Sequence, residues 1–565
     1  MSSVTTARPV AGRARAARPD VGRMAIVVLL LRQRLRRDRW QLLIWLACVG
    51  LLAAFSAESV VTTYGNANSR AELVRLAIAN PAILMLRGLP QGTGLAAVIF
   101  FEIFTFLALL AGLMSTFLAV RHSRAEEETG RAELVESTPA SRILPTVATV
   151  IHGVLANVGI AVVITLGFIS AGLPAYGSFV AGAATGGAGI AFLAIGLLLA
   201  QVMTTSRGAN GFASGFVVLA YLLRGIGDAL GTPTPDGTHL VAAWPSWLSP
   251  IGWGEQFGAF SADDWRPLLL QLGFAALVIA AVFLLQRSRD TGAGLVPERA
   301  GRRSARAALA GPTGLAWRLQ WPTILGWTIG GLLTGLIAGA LGSVVSSSIA
   351  NDPSLGSIRK AIGTIGAGGS GPLTQVFISA IFSIVGVLAA ACATQAVIRL
   401  RQEEAGGAAE SVMATPLSRV RWLLGFVLVG LVAIVLVLVA AAIASGLSAM
   451  SAGESAGRMG DSFAAAAAQL PVALVYLGVL SLVFVLLPSW TIPLSWTLLG
   501  LGAFIGIFGG LVGLPQWVRD LSPFTHSPVV VGTPDWTGGY WMLGIAVAAV
   551  AAAAVLIRRR DFAIG

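Results

Sequence analysis

The sequence RAEEETGRAELVESTPASR, residues 124–142, is an acidic and arginine-rich segment in a chain made mostly of alanine, leucine, valine and glycine. The segment RQEEAGGAAESVMATPLSR, residues 401–419, aligns with it at an offset of 277 without a gap. Arginine, glutamate, glycine and a closing Thr-Pro-x-Ser-Arg recur at matching positions. We call these segments the first and second motifs. A charged motif that occurs twice indicates an internal duplication.

The composition places the duplicated unit in a membrane. Hydrophobic residues make up 56% of the 565 residues and charged residues only 11%, and the mean hydropathy is +0.80. Soluble proteins have about a quarter charged residues, and a membrane-crossing helix needs about 20 mostly apolar ones. The sequence therefore predicts an all-α polytopic membrane protein with twelve spans. They are residues 40–60, 95–120, 143–170, 179–203, 210–227, 267–286, 322–347, 374–398, 421–447, 465–487, 491–513 and 539–557.

The twelve spans divide into six and six, so the chain is predicted to be two parallel six-helix repeats. Each half contains one motif, and RSRDTGAG at 287–294 is echoed by RRRDFAIG at 558–565. Six spans return the chain to its starting side, which makes the repeats parallel. The predicted parts are a tail with an amphipathic interfacial helix (1–39, with the helix at 24–39), a first half (40–286), a basic linker (287–321) and a second half (322–565).

The arginines indicate the orientation in the membrane. They cluster at 32–39, 287–306 and 558–560. If the chain crosses the membrane twelve times, these three clusters all lie on one side of it. Basic loops face the cytoplasm in membrane proteins, so we expect both termini to be cytoplasmic. The same distribution accounts for the net charge of +12 without a nucleic-acid partner.

Glycines recur at every fourth position in residues 331–339 and 502–510. Small residues at this spacing let membrane helices approach closely, either within one bundle or at a seam between the halves. Cys48 and Cys392 both fall in predicted spans, and they indicate structural thiols rather than a disulfide or a thiolate metal site.

Each motif lies between the second and third spans of its half. Thr138 and Thr415 can cap the following span, and Pro139 and Pro416 suit its first turn, so that span is predicted to begin there. Residues 125–136 read as a short helix along the membrane. Anionic lipid repels such an acidic helix, which favours a basic or polar groove on a protein partner. The alternative is a solvated loop with no partner.

Acidic residues followed by Gly-x-x-Glu and Thr-Pro at the entry to the third span resemble the cytoplasmic signature of type-2 ATP-binding-cassette exporter permeases. The fused six-plus-six arrangement, LSPIGW at 248–253 and the nearly lysine-free composition resemble actinobacterial polyketide-antibiotic exporters. The resemblance implies export of amphiphilic, drug-like molecules and coupling helices that bind an ATPase. The residues it assigns to coupling are Glu126, Glu127, Glu128, Gly130, Glu133, Glu136, Thr138, Pro139, Glu403, Glu404, Gly407, Glu410, Thr415 and Pro416.

This chain is not expected to hydrolyse ATP. A phosphate-binding loop needs Gly-x4-Gly-Lys-Ser/Thr, and the sole lysine, Lys360, follows an arginine. A separate ATPase is implied, with two copies per permease for the two motifs. ATP and Mg would bind that partner, and we expect no cofactor and no catalytic residue on this chain.

Two other classes of function share part of this pattern. Proton-coupled drug antiporters also have twelve spans in two parallel halves, but their loop motif is basic, and they keep several ionisable groups within the membrane. A membrane-embedded enzyme is the other. The four histidines lack the spacing of a metal motif, so no metal site is predicted.

An acidic residue inside a span is costly and is a functional candidate. Glu102 is such a residue, and its counterpart in the second motif's register is Ser379. An acid with surrounding aromatic rings suits an amphiphilic cation, although a structural hydrogen bond would also explain it. The predicted substrate-path residues are Phe101, Glu102, Phe104, Phe106, Ser379 and Ser383.

Overall fold

The computed structural model describes residues 23–137, 142–290, 292–296, 311–344, 372–509 and 514–560. The chain forms two compact units, residues 1–300 and 301–565. The boundary falls inside the predicted linker. The predicted tail (1–22), much of the linker, Thr138 and Pro139 lie outside the described residues.

The first unit consists of helices, short 3-10 turns and one small two-stranded ribbon. Strands β1 (Thr232–Pro233) and β2 (Leu240–Val241) pair antiparallel, with Thr232 opposite Val241. A 3-10 turn covers Trp244–Leu248. The helices are α1 (Arg23–Thr63), α2 (Ala67–Ala79), α3 (Pro81–Arg87), α4 (Leu95–Arg121), α5 (Arg124–Glu128), α6 (Arg131–Glu136), α7 (Leu144–Ser170), α8 (Ala175–Val202), α9 (Ser206–Ala229), α10 (Pro250–Glu255) and α11 (Arg266–Ser288).

The second unit repeats this order of long helices. It contains α12 (Pro312–Val344), α13 (Leu373–Ala405), α14 (Ala408–Met413), α15 (Arg419–Ser451), α16 (Gly457–Leu486), α17 (Thr491–Ala503), α18 (Gln516–Arg519) and α19 (Thr537–Leu556). Short 3-10 turns cover Pro488–Trp490 and Pro523–His526, and a π-helical turn covers Phe504–Phe508.

Twelve helical segments of the described chain are long and apolar enough to cross a membrane, six in each unit. The predicted all-α polytopic class is confirmed. A continuous apolar run favours a helix in lipid because every backbone amide is then bonded within the segment. Each unit has its own hydrophobic core.

The beginning of the chain differs from the prediction. Residues 24–39 do not form a separate interfacial helix, because α1 runs without a break from Arg23 to Thr63. No glycine or proline interrupts residues 24–39. Arg34 and Asp38 are buried, at 4% and 2% exposure, so this part of α1 packs on protein. The seventh span also begins earlier than predicted, at Pro312, and continues through Pro322.

The glycine spacing at 331–339 does produce close helix contact, and within the second unit's bundle. A Cβ added at Gly335 would lie 2.2 Å from the Ala441 carbonyl oxygen, and one at Gly339 would lie 2.1 Å from that of Ser445. These glycines allow α12 and α15 to meet backbone to backbone.

Candidate functional site

The first motif folds as two short helices rather than the single helix predicted for 125–136. Gly130 interrupts them with a left-handed backbone (φ 69°), a conformation that favours glycine. Gly407 has the same role in the second motif (φ 74°) and precedes α14. Both glycines therefore set the direction of a six-residue helix.

The helices that follow the motifs begin later than their Thr-Pro caps predicted, although close to the predicted span starts at 143 and 421. The third span begins at Leu144 and not at Pro139. In the second motif, Ser418 rather than Thr415 caps the next span by accepting a hydrogen bond from the Arg421 amide at 3.3 Å. The Thr415 hydroxyl instead donates to the Val412 carbonyl at 2.6 Å. Thr415 and Pro416 are exposed in the turn before the span.

Glu126 points into the protein. Its carboxylate lies 3.4 Å from Arg34 Nη2 and 3.3 Å from Arg37 Nη1, and its Oε1 lies 3.5 Å from His122 Nδ1. These contacts join the first motif to the first span. Glu126 is thus bonded within its own chain.

Glu127 lies between Arg124 and Arg289, which are far from each other in the sequence. Arg124 Nη1 is 2.7 Å from Glu127 Oε2, and Arg289 Nη2 is 2.6 Å from Glu127 Oε1. Arg124, at 1% exposure, also donates to the Ala200 carbonyl at 2.9 Å. We call this cluster the first arginine clamp. It binds the motif to the ends of the fourth and sixth spans.

The second motif contains an equivalent clamp. Arg401 Nη1 lies 3.3 Å from Glu404 Oε2, and Arg560 forms an ion pair with the same carboxylate. Arg560 also donates to the Phe484 carbonyl at 3.0 Å. Glu404 is 1% exposed, and its neighbour Glu403 pairs with Arg399. The two clamps occupy corresponding positions of the duplicated sequence.

Three of the remaining predicted coupling residues, Glu128, Glu133 and Glu410, have exposed side chains. Glu128 is exposed and binds Ser206. Glu133 and Glu410 are exposed on α6 and α14, and Glu136 ends α6. Leu134 is 71% exposed. The acidic residues therefore divide into an inner set that holds the motif in place and an outer set that is available to a partner.

Glu102 is buried and forms an ion pair with Arg87. Phe101 and Phe104 are also buried, at 3% and 2% exposure, and Phe106 is half-buried. The Phe104 ring fills the space beside Gly254, where an added Cβ would lie 2.3 Å from its Cζ atom. The Glu102 carboxylate thus has a partner within the protein, Arg87, which supports a structural role for this residue.

Ser379 and Ser383, in the second unit, line a cavity of about 10 Å³ together with Gln469. A space of that size holds about one water molecule. The Ser383 hydroxyl donates to the Ser379 carbonyl at 3.2 Å. This cavity is much smaller than a drug-like molecule.

A buried charge cluster in the first unit joins Arg224 and Asp228, two ionisable residues near the end of the fifth span, to Glu255, which the sequence did not indicate. Arg224 Nη1 lies 3.1 Å from Asp228 Oδ2 and 3.6 Å from Glu255 Oε1, and all three residues are at most 3% exposed. Burial, reinforced by the Asp228 carboxylate, raises the pKa of Glu255 well above its ordinary value. The four-residue spacing of Arg224 and Asp228 was a detectable signal, whereas Glu255 lies outside every span.

A second feature that the sequence did not predict is an apolar groove of about 340 Å³ in the first unit. Exposed side chains such as Val162, Leu166 and Phe179 contribute to it, so it opens on the surface of the bundle. Helices α7, α8 and α11 form its walls, with the lining residues Asn157, Val158, Ala161, Val162, Thr165, Leu166, Phe179, Ala183, Gly186, Gly187, Ile190, Leu268 and Leu272.

Twelve spans, a duplicated charged motif held by buried ion pairs, and an apolar groove on the bundle surface define a polytopic permease. Residues 309–558 match the family described as multidrug efflux system permease Rv1217c, C-terminal domain. The multidrug efflux system permease protein Rv1217c of Mycobacterium tuberculosis (strain ATCC 25618 / H37Rv) is 33% identical over 536 residues, which cover 94% of each chain. The chain belongs to this family of multidrug efflux permeases.

Proposed function

We propose that this permease is the membrane subunit of an ATP-driven exporter and that α6 and α14 are its contacts with the ATPase. The observation that carries the proposal is the arginine clamp, which occurs once in each unit. Each clamp holds one motif in place, and the short helix inside that motif, α6 or α14, presents an exposed acid, Glu133 or Glu410. A docking helix must be both accessible and firmly attached, and the inner and outer sets of acids serve these two needs.

The clamp gives a physical route for coupling. Glu127 connects the first motif to Arg289, just after the sixth span, and Glu404 connects the second motif to Arg560, just after the twelfth. Ion pairs with little water around them resist separation more than exposed ones do. A displacement of the docking helix by the ATPase would therefore be carried to the last span of the same unit.

The partner follows from the duplication. Two docking helices on one chain call for two ATPase subunits, and ATP and Mg would bind those subunits. We propose that both motifs face the cytoplasm of a bacterial plasma membrane, because six spans return the chain to its starting side and basic clusters favour the cytoplasmic side. Both termini would then also be cytoplasmic.

Reversing the outer charges tests this proposal. Glu133→Lys combined with Glu410→Lys should abolish co-purification with the nucleotide-binding subunit expected from a neighbouring gene, because repulsion replaces attraction. Glu72→Lys, at an exposed acid on α2, is the matched control and should leave assembly intact. Normal assembly and drug-stimulated ATP hydrolysis in the double variant would contradict the proposal.

The proposed substrates are amphiphilic, drug-like molecules that enter from the bilayer. The groove between α7, α8 and α11 supports this class, since its volume of about 340 Å³ lies at the lower end of the roughly 300–1,000 Å³ found for ligand sites. Its lining is apolar apart from residues such as Asn157 and Thr165. An apolar solute dissolved in lipid could reach it without crossing water.

Proton-driven export is the second candidate, and the buried cluster around Arg224 favours it. One guanidinium faces two carboxylates there, so full ionisation would leave a buried negative charge, which is costly. Export in cells distinguishes the two energy sources. ATP-driven export should survive a protonophore and stop on ATP depletion in cells that keep their proton gradient, whereas the reverse result would favour the antiporter.

A further inference from the structure

Three buried residues from different helices of the first unit form a cluster that the proposed function does not use. Asp38 lies on α1, His122 follows α4, and His152 lies on α7. Their exposed fractions are 2%, 2% and 0%. The sequence predicted no metal site, because these residues are far apart in the chain and only folding brings them together.

The donor atoms of the cluster converge. Asp38 Oδ2 contacts His122 Nε2 and lies 3.2 Å from His152 Nε2. One ligand atom from each residue can be chosen so that all three lie within 4.8 Å of one another. Ligands at about 2.0–2.1 Å from a tetrahedral ion are separated by roughly 3.3 Å. The cluster is therefore close to the spacing that a single ion requires.

The surroundings fix the orientation of two of the three ligands. Arg121 Nη2 lies 3.0 Å from Asp38 Oδ1, which leaves Oδ2 to face the histidines. Glu126 Oε1 lies 3.5 Å from His122 Nδ1, on the side of the ring away from Asp38. A carboxylate on the outer nitrogen of a histidine is the usual support of a metal ligand.

Two atoms of the cluster, Asp38 Oδ1 and His152 Nδ1, are buried without a hydrogen bond from the described protein atoms, although Asp38 Oδ1 pairs with Arg121. Such atoms are uncommon in folded proteins. The two imidazole rings are nearly perpendicular, at 84°, with centroids 5.2 Å apart, so they meet at an edge rather than stack. The hydrogen bonds of the cluster thus leave His152 Nδ1 without a partner among the described protein atoms.

We propose that Asp38, His122 and His152 bind one divalent transition-metal ion, with Zn²⁺ as the best match. Two imidazoles with one carboxylate suit Zn²⁺ better than Mg²⁺ or Ca²⁺, which prefer oxygen ligands. Arg34 and Arg121 also lie beside the cluster, and their charges oppose a cation. The negative charges of Asp38 and Glu126 offset them in part. The ion would join the first three spans next to the first motif.

Metal content of the purified full chain tests the site. After removal of any affinity tag, incubation with Zn²⁺ and dialysis, elemental analysis should find one Zn²⁺ per chain. His152→Gln should remove it, whereas His526→Gln, at a histidine bonded to the Asp520 carbonyl in the second unit, should not. Glu126→Gln should weaken Zn²⁺ binding about 10- to 100-fold, as expected for loss of an outer carboxylate.

Substoichiometric Zn²⁺ in the unmodified chain, or equal Zn²⁺ in the His152→Gln variant, would overturn the proposal. If that variant does not fold, Co²⁺ added to the unmodified chain decides the matter. A four-coordinate Co²⁺ site should give strong visible absorption that Zn²⁺ displaces. Absence of that absorption also overturns the site. These readouts do not depend on transport or on an ATPase.

Discussion

Arg289 Nη2 lies 2.6 Å from Glu127 Oε1, and this contact joins the first motif to the end of the sixth span across 162 residues of sequence. Arg560 and Glu404 make the corresponding contact in the second unit. Neither pair was predicted as a pair, although both arginines belong to segments that the duplication had aligned. The same contact therefore occurs at aligned positions of both copies of the repeat.

The first prediction concerns the clamp. Glu127→Gln should lower the free energy of unfolding by about 3 kcal/mol, because Arg124 and Arg289 would keep their charges without a carboxylate. Thermal unfolding in detergent, followed by tryptophan fluorescence, measures the change. Glu128→Gln, at the exposed neighbour, should stay within about 0.5 kcal/mol of the unmodified chain. Equal losses for the two variants would assign no special role to the clamp.

The proposed docking helices α6 and α14 differ at two pairs of aligned exposed positions, Arg131/Ala408 and Leu134/Ser411. Leu134 on α6 is 71% exposed, and Ser411 stands at the aligned position of α14. If both helices contact an ATPase, burial of the leucine adds about 1.5–3 kcal/mol, so Leu134→Ser should weaken ATPase binding by about tenfold or more. Ser411→Leu should strengthen it. Unchanged affinity in both variants, measured by titration in detergent, would show that these surfaces are not the contacts.

Filling the groove should reduce export. Ala183 lines the groove, and Ala183→Leu adds three carbon atoms to the side chain there. Because crowding an apolar site weakens substrate binding, transport of a bulky amphiphile should fall by about tenfold. Ala276→Leu adds the same bulk on the exposed surface of α11 and should have no effect. Uptake into inverted vesicles measures both. Equal transport by the two variants would place the substrate path elsewhere.

Stability should fall as pH rises through the titration of Glu255. Burial raises the pKa of Glu255 above its ordinary 4.5, so stability falls as the pH rises from 4.5 towards the raised pKa, because the unfolded chain ionises first, and it levels off above that pKa. The groups facing it are Arg224, Asp228 and the Thr105 hydroxyl. Thermal stability measured against pH should therefore flatten in Glu255→Gln.

The control for the pH experiment is Asp264→Asn. Hydrogen bonds from Arg266 lower the pKa of Asp264, so that group titrates at acidic pH only, and the variant should keep the slope seen in the unmodified chain. An unchanged slope in Glu255→Gln would mean that another group is responsible.

The last prediction tests helix packing in the second unit. Gly335→Ala should destabilise the unit by about 1–3 kcal/mol, as expected for overpacking, because the new methyl group meets the Ala441 carbonyl. Gly326→Ala, in the same helix with open space around it, should be neutral or slightly stabilising. The relative thermal stability of the two variants checks the prediction, and equal stability would contradict it.

The spans and the close glycine contacts of α12 were predictable because hydrophobic runs and residue spacing are local properties of the sequence. The direction of the charged side chains was not. Glu127 and Glu128 are neighbours of one residue type, yet one is clamped between arginines and the other is exposed, because only the folded chain brings Arg289 beside the motif.

Helix starts were also misjudged where two caps compete. In the second motif, Thr415 and Ser418 both precede the span, and Ser418 has the extended backbone that a cap requires. The buried acid Glu255 was missed because it lies in α10, a helix too short to cross a membrane, and only the fold brings it beside Arg224 and Asp228.

The difference between Leu134 and Ser411 is possible because both motifs are encoded in one gene. A permease assembled from two identical half-length chains would carry the same docking helix twice, and every mutation would alter both. Fusion removes that constraint, so each helix can acquire its own affinity and its own time of release. If α6 and α14 each bind an ATPase as proposed, such a chain could evolve an ordered cycle in which one ATPase stays bound while the other is exchanged.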